Sequence, residues 1–115
     1  MSKSRITDQQ YAELEAKYGE DLARVQSDAL DKEGFPRFEV VLRKPSGPEY
    51  KQYRAQVHND QRAPEALEIL VRRIMVVPSG DGIEALFEKW PGIAEKCRNA
   101  TYALLGITGG EYPKS

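Results

Sequence analysis

FPRFEVVLRKPSGPEYKQYRAQV, residues Phe35–Val57, contains two different periodicities, and the change from one to the other decides the fold. Phe38, Val40 and Leu42 alternate with Glu39, Val41 and Arg43, so a strand over residues 38–43 presents one set to each face. Pro45-Ser46-Gly47-Pro48 ends that pattern. Ser46 is suited to cap a helix, and Pro48 fits its first turn, where the missing amide proton costs nothing. Tyr50, Tyr53 and Val57 then recur at helical spacing toward Asn59-Asp60. A strand that hands over to a helix within one short stretch places the chain in the α+β class.

Reading outward toward the N-terminus, Leu22–Ala29 alternates weakly and reads as a short strand, separated from the first by the polar turn Asp31-Lys32-Glu33-Gly34. The two make a β-hairpin, and an isolated hairpin is marginal in water, so it must lean on helices. Thr7 with Gln10 forms a capping-box pattern ahead of a helix carrying Tyr11, Leu14 and Tyr18, with Gly19 as its stop. That apolar stripe is narrow, which puts this helix at the edge of the domain. Toward the C-terminus, Pro64 opens a helix whose stripe of Leu67, Leu70, Val71 and Ile74 is widened by Ile69 and Met75. Apolar on more than one side, it is expected to be the central helix and to run to Val77. Pro78-Ser79-Gly80-Asp81-Gly82 breaks the chain, a short helix follows from Ile83 to Trp90, and a last one runs from Ile93 to Leu105 with Gly106 as its stop. The expected architecture is mainly α-helical: an N-terminal helix, a hairpin and a bundle of about four helices. It forms one domain over residues 7–106, between a flexible N-terminus (1–6) and a flexible tail (107–115).

The chain has 115 residues, enough for one core. A domain of this size buries only about 60–70% of its unfolded surface, which leaves room for function through association. With 17 basic and 18 acidic residues the net charge is −1, and no window concentrates Lys and Arg as phosphate binding requires. The most basic stretch, Arg43–Arg54, is interrupted by Glu49. Nucleic acid is therefore not an expected partner. Neither is a membrane, since the most apolar stretch, Ile69–Pro78, contains Arg72 and Arg73 and a spanning helix needs about 20 apolar residues. A single cysteine, Cys97, and the absence of an apolar leader after Arg5 make the expected location the cytoplasm.

Residues suited to chemistry are few. The one histidine, His58, lies beside Asn59 and Asp60 at a helix end; a carboxylate there could orient it as a base, but the helix dipole accounts for it as a structural C-terminal residue. Cys97 has apolar spacing, and one His with one Cys cannot supply a typical zinc set. Ser79-Gly80-Asp81-Gly82 lacks the strand, spacing and lysine of a phosphate loop. Trp90, followed by Pro91-Gly92, reads either as a core closure or as an exposed anchor for a partner.

A strand ending in Arg43-Lys44-Pro45 is followed by a helix carrying Tyr50-Lys51 and Tyr53-Arg54-Ala55. Then come Glu68-Ile69-Leu70-Val71-Arg72, the exit Val76-Val77-Pro78, the turn Trp90-Pro91-Gly92-Ile93 and the stop Leu104-Leu105-Gly106. In this order, over Val40–Gly106, the pattern resembles a group of small bacteriophage tail assembly chaperones. The resemblance implies a protein without catalytic activity or cofactor. Such proteins coat the long helical tape measure protein, keep it soluble, recruit tail tube subunits and then leave before the virion is complete. It also implies the shorter of two forms where a frameshifted longer one exists. A client helix would lay its apolar stripe into a groove between helices. Tyr50, Tyr53, Leu67, Leu70 and Trp90 would supply the apolar contacts, with Arg54, Arg72 and Arg73 as a polar rim. Self-association into a homo-oligomer fits the small core. Two other readings stay open on the sequence: a structural tail or head–tail connector subunit retained in the particle, and a small helical DNA-binding regulator.

Overall fold

Two capping boxes and two glycine stops set the frame. In the computed structural model, which describes residues 4–59, 61 and 63–107, Thr7 caps α1 (Asp8–Tyr18), with Thr7 and Gln10 bonded reciprocally and Gly19 at its C-terminus. Ser46 and Glu49 do the same for α2 (Gly47–Val57), which ends on His58. Between them lie β1 (Leu22–Gln26) and β2 (Glu39–Arg43), antiparallel and paired from Leu22↔Arg43 to Gln26↔Glu39. The hairpin turn is held by Asp31, whose carboxylate accepts the backbone N–H of Glu33 and of Phe35.

Beyond α2 come α3 (Ala63–Ile74), β3 (Met75–Val77), α4 (Asp81–Lys89), α5 (Ile93–Lys96) and α6 (Arg98–Leu104). β3 corrects the expected two-stranded hairpin: the helix stops at Ile74, and Met75–Val77 joins β2 to make a three-stranded antiparallel sheet, ordered β1-β2-β3. The helical period continues through Met75, but Val76 and Val77 are β-branched and Pro78 disfavours helix in the residue before it. Pairing with β2 then outweighs the local pattern. The expected last helix is divided at Cys97, although its ladder of bonds continues from Cys97 N–H to the Ile93 carbonyl and from Thr101 N–H to the Cys97 carbonyl. It closes as a Schellman motif: Gly106 has φ 84°, its N–H donates to the Ala103 carbonyl, and Ile107 N–H donates to the Tyr102 carbonyl.

α3 is the central helix, packed against α2, α5 and β2, with Ala66, Leu70, Val71 and Ile74 buried. Its stripe meets Val40 and Leu42 from β2, Val25 from β1, Phe87 from α4 and Ile93 and Cys97 from the last helical stretch in one core. β2 is covered on both sides: Val40, Val41 and Leu42 are fully buried, and so nearly is Glu39. The second side lies beneath residues 4–6 and α1. Here the structure departs from the expected flexible N-terminus. Ile6 is buried, and the Glu39 carboxylate accepts hydrogen bonds from Ser4 Oγ, Arg5 N–H and Gln26 Nε2 at 2.9, 2.5 and 2.9 Å. α1 buries none of its own residues, as its narrow stripe implies. Residues 1–3 and residues 108–115, the bulk of the expected tail, lie outside the described residues. The architecture is α+β and mainly helical, as expected.

Candidate functional site

The six residues proposed for partner binding do not form one face: three cluster on α2, Leu67 is partly buried, Trp90 stands apart, and Leu70 is lost to the core. Leu70 is the loss: at 2% exposure it belongs to the core and has no surface to offer a client. Leu67 is half-buried against the same core. Tyr50, Tyr53 and Arg54 cluster on α2, with the two rings stacked at 6.3 Å and the Arg54 guanidinium 5.9 Å from the Tyr50 ring. Tyr53 also reaches across to the Tyr102 hydroxyl at 3.3 Å. The seam it lines with Ile69, Leu70 and Arg73, between α2 and α3, has no space for even a water-sized sphere. A client helix cannot enter there without separating the two helices.

The expected arginine rim is also spoken for within the chain. Arg72 pairs with Glu68 and Glu84 and lies 4.2 Å from the Phe87 ring, while Arg73 bonds to Gln52. Arg43, on β2, donates to both oxygens of the Glu49 carboxylate at 2.8 and 2.7 Å and to the Arg73 carbonyl at 3.1 Å. This ties the sheet, the start of α2 and the end of α3 together. The bond from Arg43, reinforced by the Ser46 backbone N–H, brings the Glu49 carboxyl down to about 2.

Trp90 stands in different surroundings. It ends α4, half-buried, with the Phe38 ring 5.7 Å away and tilted by 51°. Together with Pro91 and Ile93 the pair lines an open cleft of 330 Å³. Phe38 and Arg37 also line a second cleft of 370 Å³, floored by Val77, Pro78 and Leu86 and flanked by Lys89. A third, of 450 Å³, follows on past Val77, lined by Ile6 and Leu14. The first two clefts share the walls Arg37 and Phe38 and together make a trough beside Trp90, while the second and third share Arg5, Glu39 and Val77. α4, a short helix, contributes Leu86 to the trough: Phe87 is buried in the core, and Leu86 is partly buried against that core while also lining the second cleft. Gly82 allows the first turn of α4 to lie against Pro78, since a Cβ there would meet the Pro78 ring at 3.0 Å.

Cys97 and His58 match the structural readings of their positions. The Cys97 thiol is fully buried, and burial pushes it up to about 12, so it is protonated at neutral pH. His58 is the exposed C-terminal cap of α2. Among the described residues no group of three or more His, Cys, Asp or Glu side chains is placed to hold a metal, and no helix is long and apolar enough to cross a membrane.

Phe38, Leu86 and the cations Arg37 and Lys89 are absent from the sequence-based set. The sequence carries no local signal for them, because adjacent apolar residues on a helix can share one core, as Leu70 and Val71 do, and which of them keeps exposed surface is set by tertiary packing. Compared with protein-family models, with curated proteins and with solved structures, the chain finds no match.

Proposed function

We propose that this chain is a protein-binding module that takes an apolar-striped helical client in the trough beside Trp90, acting as a tail assembly chaperone for a phage tape measure protein. The observation that carries the binding reading is the open trough itself. Phe38, Trp90 and Leu86 are half-buried there, next to clefts of 330 and 370 Å³, wide enough for aliphatic side chains of a partner. Tryptophan and phenylalanine at the floor of such a depression have the composition of a binding hot spot. The client's identity rests on the resemblance over Val40–Gly106. Size is compatible with a coating role: at 42 Å in its longest dimension, one copy spans about 28 residues of helix at 1.5 Å per residue, so a long client takes many copies in a row.

The test is co-expression with a tape measure fragment that is insoluble alone. The wild-type chain is expected to bring it into the soluble fraction and to co-purify with it. Phe38→Ala and Trp90→Ala, checked for folding by circular dichroism, are expected to lose most of that effect, whereas Val57→Ala on α2 keeps it. A fragment that stays insoluble beside the folded wild-type chain contradicts the reading.

A further inference from the structure

Resting on that reading, we infer that the segment seated in the trough is an acidic amphipathic helix, one with carboxylates beside its apolar stripe. The cleft floored by Phe38, Pro78 and Leu86 is flanked by two cations, Arg37 and Lys89, and neither meets a carboxylate at ion-pair distance among the described residues. The other cations nearby are occupied. Arg5 pairs with Asp31 at 2.6 Å, and Lys96 pairs with Asp28 at 2.9 Å. The one carboxylate on the cleft wall, Glu39, has a side chain only 1% exposed, and Ser4, Arg5 N–H and Gln26 already donate to it. A chain with net charge −1 therefore presents a locally positive, apolar-floored surface. A neutral apolar helix would leave Arg37 and Lys89 facing it without an anion, Lys89 Nζ having the Trp90 ring 5.9 Å away. One with Asp or Glu flanking the stripe supplies both halves of the match, apolar contact for the floor and anions for the rim. Exposed pairs of this kind contribute more to steering and to choice among partners than to raw affinity, so the signature is a preference that salt weakens.

The chain's single tryptophan is a built-in reporter, because Trp90 lies in the adjoining cleft. Two synthetic 18-residue helices with the same leucine stripe are titrated against the full chain at low salt, one with Glu and one with Gln at the flanking positions. The Glu peptide is expected to shift Trp90 emission with about tenfold tighter binding, a preference that shrinks as salt is raised. Arg37→Gln combined with Lys89→Gln, both at exposed positions, is expected to abolish the preference between the two peptides, while Lys51→Gln on α2 preserves it. Equal binding of the two peptides overturns the inference and leaves the apolar trough standing. Failure of both to bind overturns the two together. A single-stranded oligonucleotide that binds in place of the peptides, with the same dependence on Arg37 and Lys89, assigns the cations to phosphate and overturns the acidic helix.

Discussion

The seam between α2 and α3 and the trough beside Trp90 are both built from aromatic and aliphatic side chains, but one is closed and the other open. In the seam, nearly every polar group has an internal partner: Arg43 with Glu49, Arg73 with Gln52, Tyr53 with Tyr102. In the trough, Arg37 and Lys89 flank the apolar floor without ion pairs among the described residues. The difference shows that a run of aromatic residues at helical spacing does not by itself mark a binding face. What separates a face used for packing from one available to a partner is whether its cations and its volume are already taken up by the chain.

The largest effect should come from treating the two regions alike. Leu70→Ala, in the seam, is expected to cost about 3 kcal/mol in urea unfolding, because it empties a site with no room to collapse. Leu86→Ala, in the trough, should cost about 1 kcal/mol, since this side chain is only partly buried. Equal losses would erase the distinction.

Acid sharpens it next. Glu49 titrates at about 2 in the folded chain against an ordinary 4.5, so its bonds to Arg43 and Ser46 stabilise the fold fully above 4.5, and that contribution fades as pH falls from 4.5 to about 2. Glu49→Gln is expected to lower stability by about 2 kcal/mol at pH 7 and to flatten acid unfolding over that window. Denaturant midpoints measured from pH 7 to pH 2 check both. In the trough, Arg37→Gln and Lys89→Gln are expected to stay within about 0.5 kcal/mol of wild type, the smallest of these effects, as exposed cations without ion pairs should. A substantial loss there would mean that they hold the fold together.

Much of this fold is legible in the residues because the local signals agree. Thr7 with Gln10, Ser46 with Pro48, Gly19 and Gly106 mark helix ends through bonds made within a few residues, and the alternation in 38–43 is equally local. β3 was hidden because three residues that continue a helical stripe become a strand only through pairing with β2, more than thirty positions back in the chain. The order of residues 4–6 was hidden for a similar reason: it depends on Glu39, which the alternation places on what looks like a solvated face. Of the proposed site, Trp90 was legible by its type and its position before Pro91-Gly92. Leu70 was misplaced because a wide apolar stripe is equally the mark of a buried helix. For Arg72 the i,i+4 partner Glu68 is legible on the same helix, whereas Glu84, and Gln52 for Arg73, belong to other helices.

The most direct test of the trough as the client's seat is site-specific photo-crosslinking in cells that also express the tape measure protein. A photoreactive residue is placed at position 86 in the trough in one strain and at position 57 on α2 in another. The account predicts a crosslink to the tape measure protein from position 86 and none from position 57. Crosslinking from position 57 alone would contradict it and return the binding face to the α2 aromatics.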